Sequence, residues 1–363
     1  MDLATGEKRF VSRAFDSNVD EFVWMPDGRG FYFTGVWFGT TMIYSLDLDG
    51  HYQALTSGQY DFGGIALMGD QILCKRHSME EADEIYAFNP AKGDKLTQLT
   101  TENKHIYDQI ERGKVEPRWM KTTDGKDMLT WVLYPPQFDP SKEYPSILIC
   151  LGGPQGTLSQ GWSYRWNYRL MASQGYVVVL PNRRGTTAFG QEWTEQISGD
   201  YPGLNMQDYL AAAKEIKAEP YVGKMAACGA SYGGYSVYYL CGTHGNTFDA
   251  FIAHAGIFNE EHMYMTTEEM WFPNFDNGGL HGARGVSINF TNCTINYQYA
   301  IDVADGQLKG GEYETSYSYN AYIENPDATG YNADTIAAIN KLHEVISDGQ
   351  VHTLNFFYLD YCA

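Results

Sequence analysis

Along the first hundred residues, aromatic and aliphatic side chains come in short strand-like bursts separated by turns rich in Asp, Asn and Gly. Ile43-Tyr44-Ser45-Leu46-Asp47-Leu48-Asp49-Gly50, leading to Ala54-Leu55-Thr56, returns as Ile85-Tyr86-Ala87-Phe88-Asn89-Pro90, leading to Gln98-Leu99-Thr100. A fainter copy, Asp2-Leu3-Ala4-Thr5-Gly6, opens the chain. A period of about 42 to 45 residues with four short strands per unit is the signature of β-propeller blades. Val23-Trp24-Met25-Pro26-Asp27-Gly28, followed by Phe31-Tyr32-Phe33-Thr34, supplies a hairpin turn and a strand inside one blade. Two blades and part of a third fit before residue 115, whereas a closed propeller takes about four or more. The pattern therefore predicts antiparallel sheets of an incomplete propeller, with a small β-sandwich as the alternative, and an exposed sheet edge in either case.

From Glu116 the pattern changes. Met128 to Tyr134 and Ser146 to Leu151 are strand-like runs, and Tyr176-Val177-Val178-Val179-Leu180 is a continuous apolar strand of the kind buried in a parallel sheet. Tyr168 to Gly175 reads as the end of a helix. Asn205 to Ala218, with Leu210, Ala211, Ala213 and Ile216 on its apolar positions, reads as the next one. A strand around Met225 to Cys228 then runs into Gly229. Strands alternating with helices imply a mostly parallel, helix-covered, doubly wound α/β sheet.

Three glycine-rich segments on this framework carry chemistry. Gly229-Ala230-Ser231-Tyr232-Gly233-Gly234-Tyr235 has the G-x-S-x-G form of a nucleophile elbow, with an apolar strand before it and a helix-like segment, Tyr235 to Leu240, after it. The serine of such an elbow sits on a strained strand-to-helix turn, and small neighbours let the backbone pass without a clash. The helix N-terminus beyond it favours a developing oxyanion, with the N–H of Tyr232 as one donor. Gly152-Gly153-Pro154 follows the strand ending at Leu151, where this sheet architecture places its oxyanion loop. Gly-Gly-Pro is also simply a good turn.

Gly152-Gly153-Pro154-Gln155, then Pro181-Asn182-Arg183-Arg184-Gly185 with Phe189-Gly190, then the Ser231 elbow occur in the order and at the spacing of the prolyl oligopeptidase family. The chain resembles the dipeptidyl peptidase and acylaminoacyl peptidase branches of that family. The resemblance implies a β-propeller joined to an α/β-hydrolase domain: partial blades over 1–115 and a hydrolase core over 116–279. It also implies a serine peptidase acting on short peptides, with an acyl-enzyme formed at Ser231 and Gly152, Gly153 and Tyr232 supplying the oxyanion donors. The stretch Ala253-His254-Ala255-Gly256-Ile257-Phe258 resembles the family segment beside the pocket for the residue preceding the cut, so Tyr232 and Ile257 line that pocket by likeness. Some members place a Tyr hydroxyl just before the Gly-Pro turn; Leu151 stands there in this chain, which leaves backbone donors. Arg183 and Arg184 are expected to anchor their loop.

From Leu280 the likeness stops, and residues 280–363 read as a divergent or foreign tail. A strand (Ile295 to Val303), a helix (Ala333 to Ile346) and a strand (Thr353 to Leu359) mimic the family's closing portion, with Asp302 or Asp305 in the place of the acid. His352 precedes the last strand and His343 lies within the helix, so neither stands on the loop where the catalytic base belongs. The catalytic Asp and His are thus not identifiable, and impaired turnover is the expectation. A catalytically inactive hydrolase-fold binding or interaction protein is the alternative. Asn289-Phe290-Thr291 and Asn292-Cys293-Thr294 fit the glycosylation sequon.

Composition narrows the partners. Lys and Arg number 25 against 45 Asp and Glu, a net charge of −20 that argues against nucleic acid or an anionic membrane surface. No apolar run approaches the roughly 18 residues of a membrane helix. The opening Met1 to Glu7 lacks the basic region and apolar stretch of a secretory signal. The family resemblance admits a periplasmic or secreted location, and association into oligomers is left open. The six cysteines are scattered with no zinc spacing, so no metal or other cofactor is expected, and Cys150 and Cys228 fall in apolar runs where a thiol acts as a small hydrophobe.

Overall fold

The computed structural model describes residues 5–93, 95–260, 263–264, 267–269 and 271–277. They fall into two compact units, one running to Met225 and one starting at Ala226.

The first unit opens with an eight-stranded sheet. Strands β1 (Val19–Trp24), β2 (Gly30–Trp37), β3 (Thr40–Asp47) and β4 (Tyr52–Ala54) form one antiparallel meander. Strands β5 (Asp61–Met68), β6 (Gln71–Ser78), β7 (Glu81–Phe88) and β8 (Thr97–Gln98) form a second. These are the two blades expected from the repeat, and the paired segments beginning at Ile43 and Ile85 are their third strands. A single parallel pairing, Thr41 with Asp61, joins β3 to β5. Phe33, Ile43, Tyr44, Leu46, Phe62, Ile72, Tyr86 and Phe88 are buried between them. At the exposed edge, β1 leaves Phe22 and Trp24 largely in solvent.

After a single-turn helix α1 (Lys104–Tyr107), the same unit continues into a second sheet with β9 (Val115–Lys121), β10 (Asp127–Leu133), β11 (Tyr144–Cys150) and β12 (Val177–Pro181), in the spatial order β11-β12-β10-β9. β11 and β12 run parallel, while β10 and β9 are antiparallel additions at the edge. Val177 to Leu180 are completely buried, as a continuous apolar strand requires. Helices α2 (Tyr168–Ser173), α3 (Gln191–Glu195) and α4 (Leu204–Lys217) follow the strands. On α4 the buried side chains include Asn205, Tyr209, Ala212, Ala213 and Ile216, the spacing of one helical face; Ala211, expected on that face, is only half-buried because Ala212 takes its place. The chain then enters β13 (Val222–Ala230), where the Ser146 hydroxyl reaches the carbonyl of Lys224 at 3.5 Å.

The blades and the hydrolase sheet touch within this unit. The β2–β3 hairpin turns through Phe38 (φ 48°) and Gly39 (φ 72°), the two left-handed positions of a tight two-residue turn. A Cβ on Gly39 would lie 2.6 Å from Leu129 and 3.2 Å from the Trp131 indole nitrogen, so only glycine fits. The Phe38 amide donates to the Ala188 carbonyl at 2.9 Å, and its ring meets Trp119 and Phe189. Arg169 pairs with Glu80 at 3.0 Å.

The second unit carries the remainder of β13, helix α5 (Tyr232–Thr243), strand β14 (Ala250–His254) parallel to β13, and helix α6 (Trp271–Asp276). Cys228 on β13 and Cys74 on β6 are buried, and burial pushes their thiols up to about 11 and about 12. The architecture is that of an α/β-hydrolase sheet preceded by part of a β-propeller.

Leu180 has no exposed surface at the centre of the second sheet. Leu180→Ala should cost about 2–5 kcal/mol in urea denaturation, the range for truncating a buried leucine. The same change at the largely exposed Leu170 on α2 should leave the midpoint within a few tenths of a molar.

Candidate active site

Ser231 occupies the single residue between β13 and α5. Its backbone sits at φ 58°, ψ −125°, a region that non-glycine residues visit at a cost of about 1–3 kcal/mol. Two hydrogen bonds hold it there. The Ser231 amide donates to the His254 carbonyl at 3.0 Å, and the Tyr235 amide donates to the Ser231 carbonyl at 3.1 Å as the opening bond of the α5 ladder. The N–H of Tyr232 lies ahead of that ladder, at the positive end of the helix. The Ser231 side chain is exposed.

The glycines of the motif have a specific task. A Cβ on Gly234 would stand 2.5 Å from the Cα of Gly256, and one on Gly256 would stand 2.6 Å from the Tyr238 ring. Helix α5 therefore lies backbone to backbone against the segment leaving β14. Tyr232 and Tyr235 are buried, with ring centroids 5.3 Å apart and an interplanar angle of 28°. Ile257 is half-buried, and the neighbouring Phe258 is exposed with its ring edge-to-face on Tyr238. Glu260 is buried, and burial pushes its carboxyl up to about 7.

In the first unit, the Gly152-Gly153-Pro154 turn follows β11 directly. Gly153 has φ 122°, and a Cβ there would approach the Gln155 amide nitrogen to 2.7 Å, so the turn needs glycine. Its base is held by a buried side chain: the Arg183 guanidinium donates to the carbonyls of Leu151 at 3.2 Å and Pro154 at 2.9 Å. The Tyr209 hydroxyl accepts from the Leu151 amide at 2.9 Å and from Arg183 at 3.1 Å. Arg184 forms a fork on Asp208, with bonds of 2.8 and 2.9 Å, and reaches Asp124 at 2.7 Å. Burial raises the Asp208 carboxyl while the Arg184 bonds pull it back; at Asp124 the Arg184 hydrogen bond prevails and lowers it. Both arginines thus anchor the loop, as expected, and their donors are turned inward.

Tyr209 and Asp208 were not among the expected site residues. The available signal was polar residues on the buried stripe of α4, since a charge on such a face needs a buried partner. Asp302, Asp305, His343 and His352, the residues weighed as acid and base, lie outside the described residues, as does the proposed strand-helix-strand of the tail.

Residues 162–284 match the model for the Prolyl oligopeptidase family. Dipeptidyl-peptidase 5 of Porphyromonas gingivalis is 54% identical over 281 residues, which is 77% of this chain and 41% of that protein. Dipeptidyl-peptidase 5 of Porphyromonas endodontalis is 54% identical over 227 residues, 62% of this chain and 33% of that protein. Among solved structures, the Pyrococcus horikoshii acylaminoacyl peptidase has the same fold, with a TM-score of 0.67 at 22% identity over 75% of this chain and 42% of its own. The chain spans less than half the length of each of these relatives.

Asp208→Ala would leave the buried Arg184 guanidinium short of its fork partner, and should destabilise the chain by about 3–5 kcal/mol in urea denaturation. A cost under about 1 kcal/mol would mean that Asp124 and Gln196 suffice to satisfy Arg184. With a serine on a strained strand-to-helix turn, a match to the Prolyl oligopeptidase family over the surrounding residues and relatives at 54% identity, segment 162–284 of the chain is similar to members of that family.

Proposed function

We propose that Ser231 is the nucleophile of a peptidase acting on short peptides. The observation that carries this reading is its place at the N-terminus of α5, on a strained backbone, with its side chain exposed. In the reaction, the Ser231 oxygen bonds to the substrate carbonyl carbon and loses its proton to a base. The carbonyl oxygen takes up negative charge facing backbone N–H donors, the C–N bond breaks, and the amine leaves with a proton. Water then releases the acid from the ester. The N–H of Tyr232 is the donor belonging to the elbow itself; Gly152 and Gly153 enter as further donors by the family resemblance alone. Tyr232 and Ile257 border the pocket for the residue before the cut. That the Porphyromonas relatives are dipeptidyl-peptidases supports a short-peptide substrate.

The base is the weak point of this chain. His343 and His352 fall, by sequence, within a helix and ahead of a strand, and losing the base of a serine triad costs on the order of a millionfold in turnover. Turnover of an aminoacyl anilide should therefore sit near background. A phosphonyl fluoride is reactive enough to label Ser231 slowly without that base. Labelling lost in Ser231→Ala is the expected result. No labelling at all, or labelling unchanged in Ser231→Ala, would favour the inactive binding protein. Rapid anilide hydrolysis abolished by Ser231→Ala and also by His343→Ala or His352→Ala would show that the tail completes the triad.

A further inference from the structure

The loop that begins with the Gly152-Gly153-Pro154 turn is held from two sides. On the hydrolase side, Leu158 is clamped by Asn182, whose side chain accepts from the Leu158 amide at 2.9 Å and donates to its carbonyl at 3.0 Å. The Trp131 indole donates to the same carbonyl at 2.9 Å. The next residue faces the blades. The Ser159 hydroxyl donates to Asp61 Oδ2 at 2.6 Å, and the backbone of Gln160 also bonds that carboxylate.

Asp61 is the first residue of β5 and pairs in parallel with Thr41 of β3, joining the two blades. Its other oxygen accepts from the Thr41 amide of β3 at 2.7 Å. His77 of β6 stands 3.8 Å from Oδ2 and is itself oriented by Asp83 at 2.7 Å. One buried carboxylate thus ties together both blades and the loop. It accepts from three directions, which favours the acceptor-only ionised form, although burial outweighs these bonds and raises the carboxyl above the usual aspartate range. A carboxylate needed only to join two strands would not require Ser159, because the Thr41 bond uses the opposite oxygen.

We propose that Asp61 is a positioning residue, a carboxylate supplied by the blade region that fixes, through Ser159 and Gln160, the loop carrying the Gly152-Gly153-Pro154 turn. The catalytic part of this inference rests on the peptidase reading above. Its structural part stands on the contacts within the first unit. It follows that the blades contribute a bond to the placement of that turn.

The test uses the full chain with Ser159→Ala, Asp61→Asn and the double variant. Ser159→Ala removes the side-chain bond to the loop while the Gln160 backbone bond and the bond between the blades remain. Amide hydrogen exchange over residues 151–160 should quicken about tenfold in each single variant, the size expected for one lost hydrogen bond to a charged group. The double variant should be no faster than Asp61→Asn, because the Ser159 bond that Ser159→Ala removes is one of those that Asp61→Asn already disturbs. Ser159→Thr, which keeps the hydroxyl, should restore wild-type exchange. Phosphonyl-fluoride labelling of Ser231 should slow in parallel, while urea midpoints for Ser159→Ala stay close to wild type. Unchanged exchange over 151–160, an increase spread over the whole unit, or additive effects in the double variant would overturn the proposal. Absence of labelling in the wild-type chain would instead sink the peptidase reading, and the exchange comparison alone would then decide whether Asp61 positions the loop.

Discussion

The backbone contact between Gly234 and Gly256 governs how the serine is presented. Because neither residue has a Cβ, helix α5 can lie flush against the chain leaving β14, and that proximity lets the Ser231 amide reach the His254 carbonyl. A strained serine backbone costs about 1–3 kcal/mol, and two hydrogen bonds worth about 0.5–1.5 kcal/mol each are of the size needed to offset it. Remove the close approach, and the strain loses its support. The glycines after the serine are therefore a packing requirement first, and their chemical consequence, an exposed hydroxyl at a helix N-terminus, follows from it.

The Gly152-Gly153-Pro154 turn is organised on a different principle. Its backbone is set by a glycine at positive φ, but its position is set by buried polar groups: Arg183 and Tyr209 from the hydrolase core, and Asp61 through Ser159 from the blades. Such networks are stable only when every buried charge is satisfied. The Arg184–Asp208–Asp124 cluster beside it meets that condition with a two-pronged pair, so Arg184 acts as scaffolding.

Much of this fold could be read from the chain because its signals are local. Two blades showed as a repeated burst of aromatic positions, β12 as an uninterrupted apolar run, and the elbow as a glycine pattern between a strand and a helix. Helix α4 was located within one residue at each end, although its buried face was shifted by one at Ala212. Strand β14 and the short α3 were missed: α3 has only five residues, and β14 is mostly half-buried or exposed, which dilutes the apolar signal. The polar braces were illegible for another reason. Ser159 finds a carboxylate 98 residues earlier in sequence, and Arg183 a tyrosine 26 residues later, and no local pattern specifies such partners. Only the misfit of Asp208 on an apolar stripe hinted at them.

The central claim is that the fold presents the Ser231 hydroxyl as a nucleophile. The most direct measurement is intact-mass spectrometry of the chain after incubation with a phosphonyl fluoride, which spares lysine amines, followed by peptide mapping. One phosphonyl group per chain, carried by the peptide that holds Ser231, is the expected result. Labelling at another residue, or none at saturating reagent, would contradict the claim.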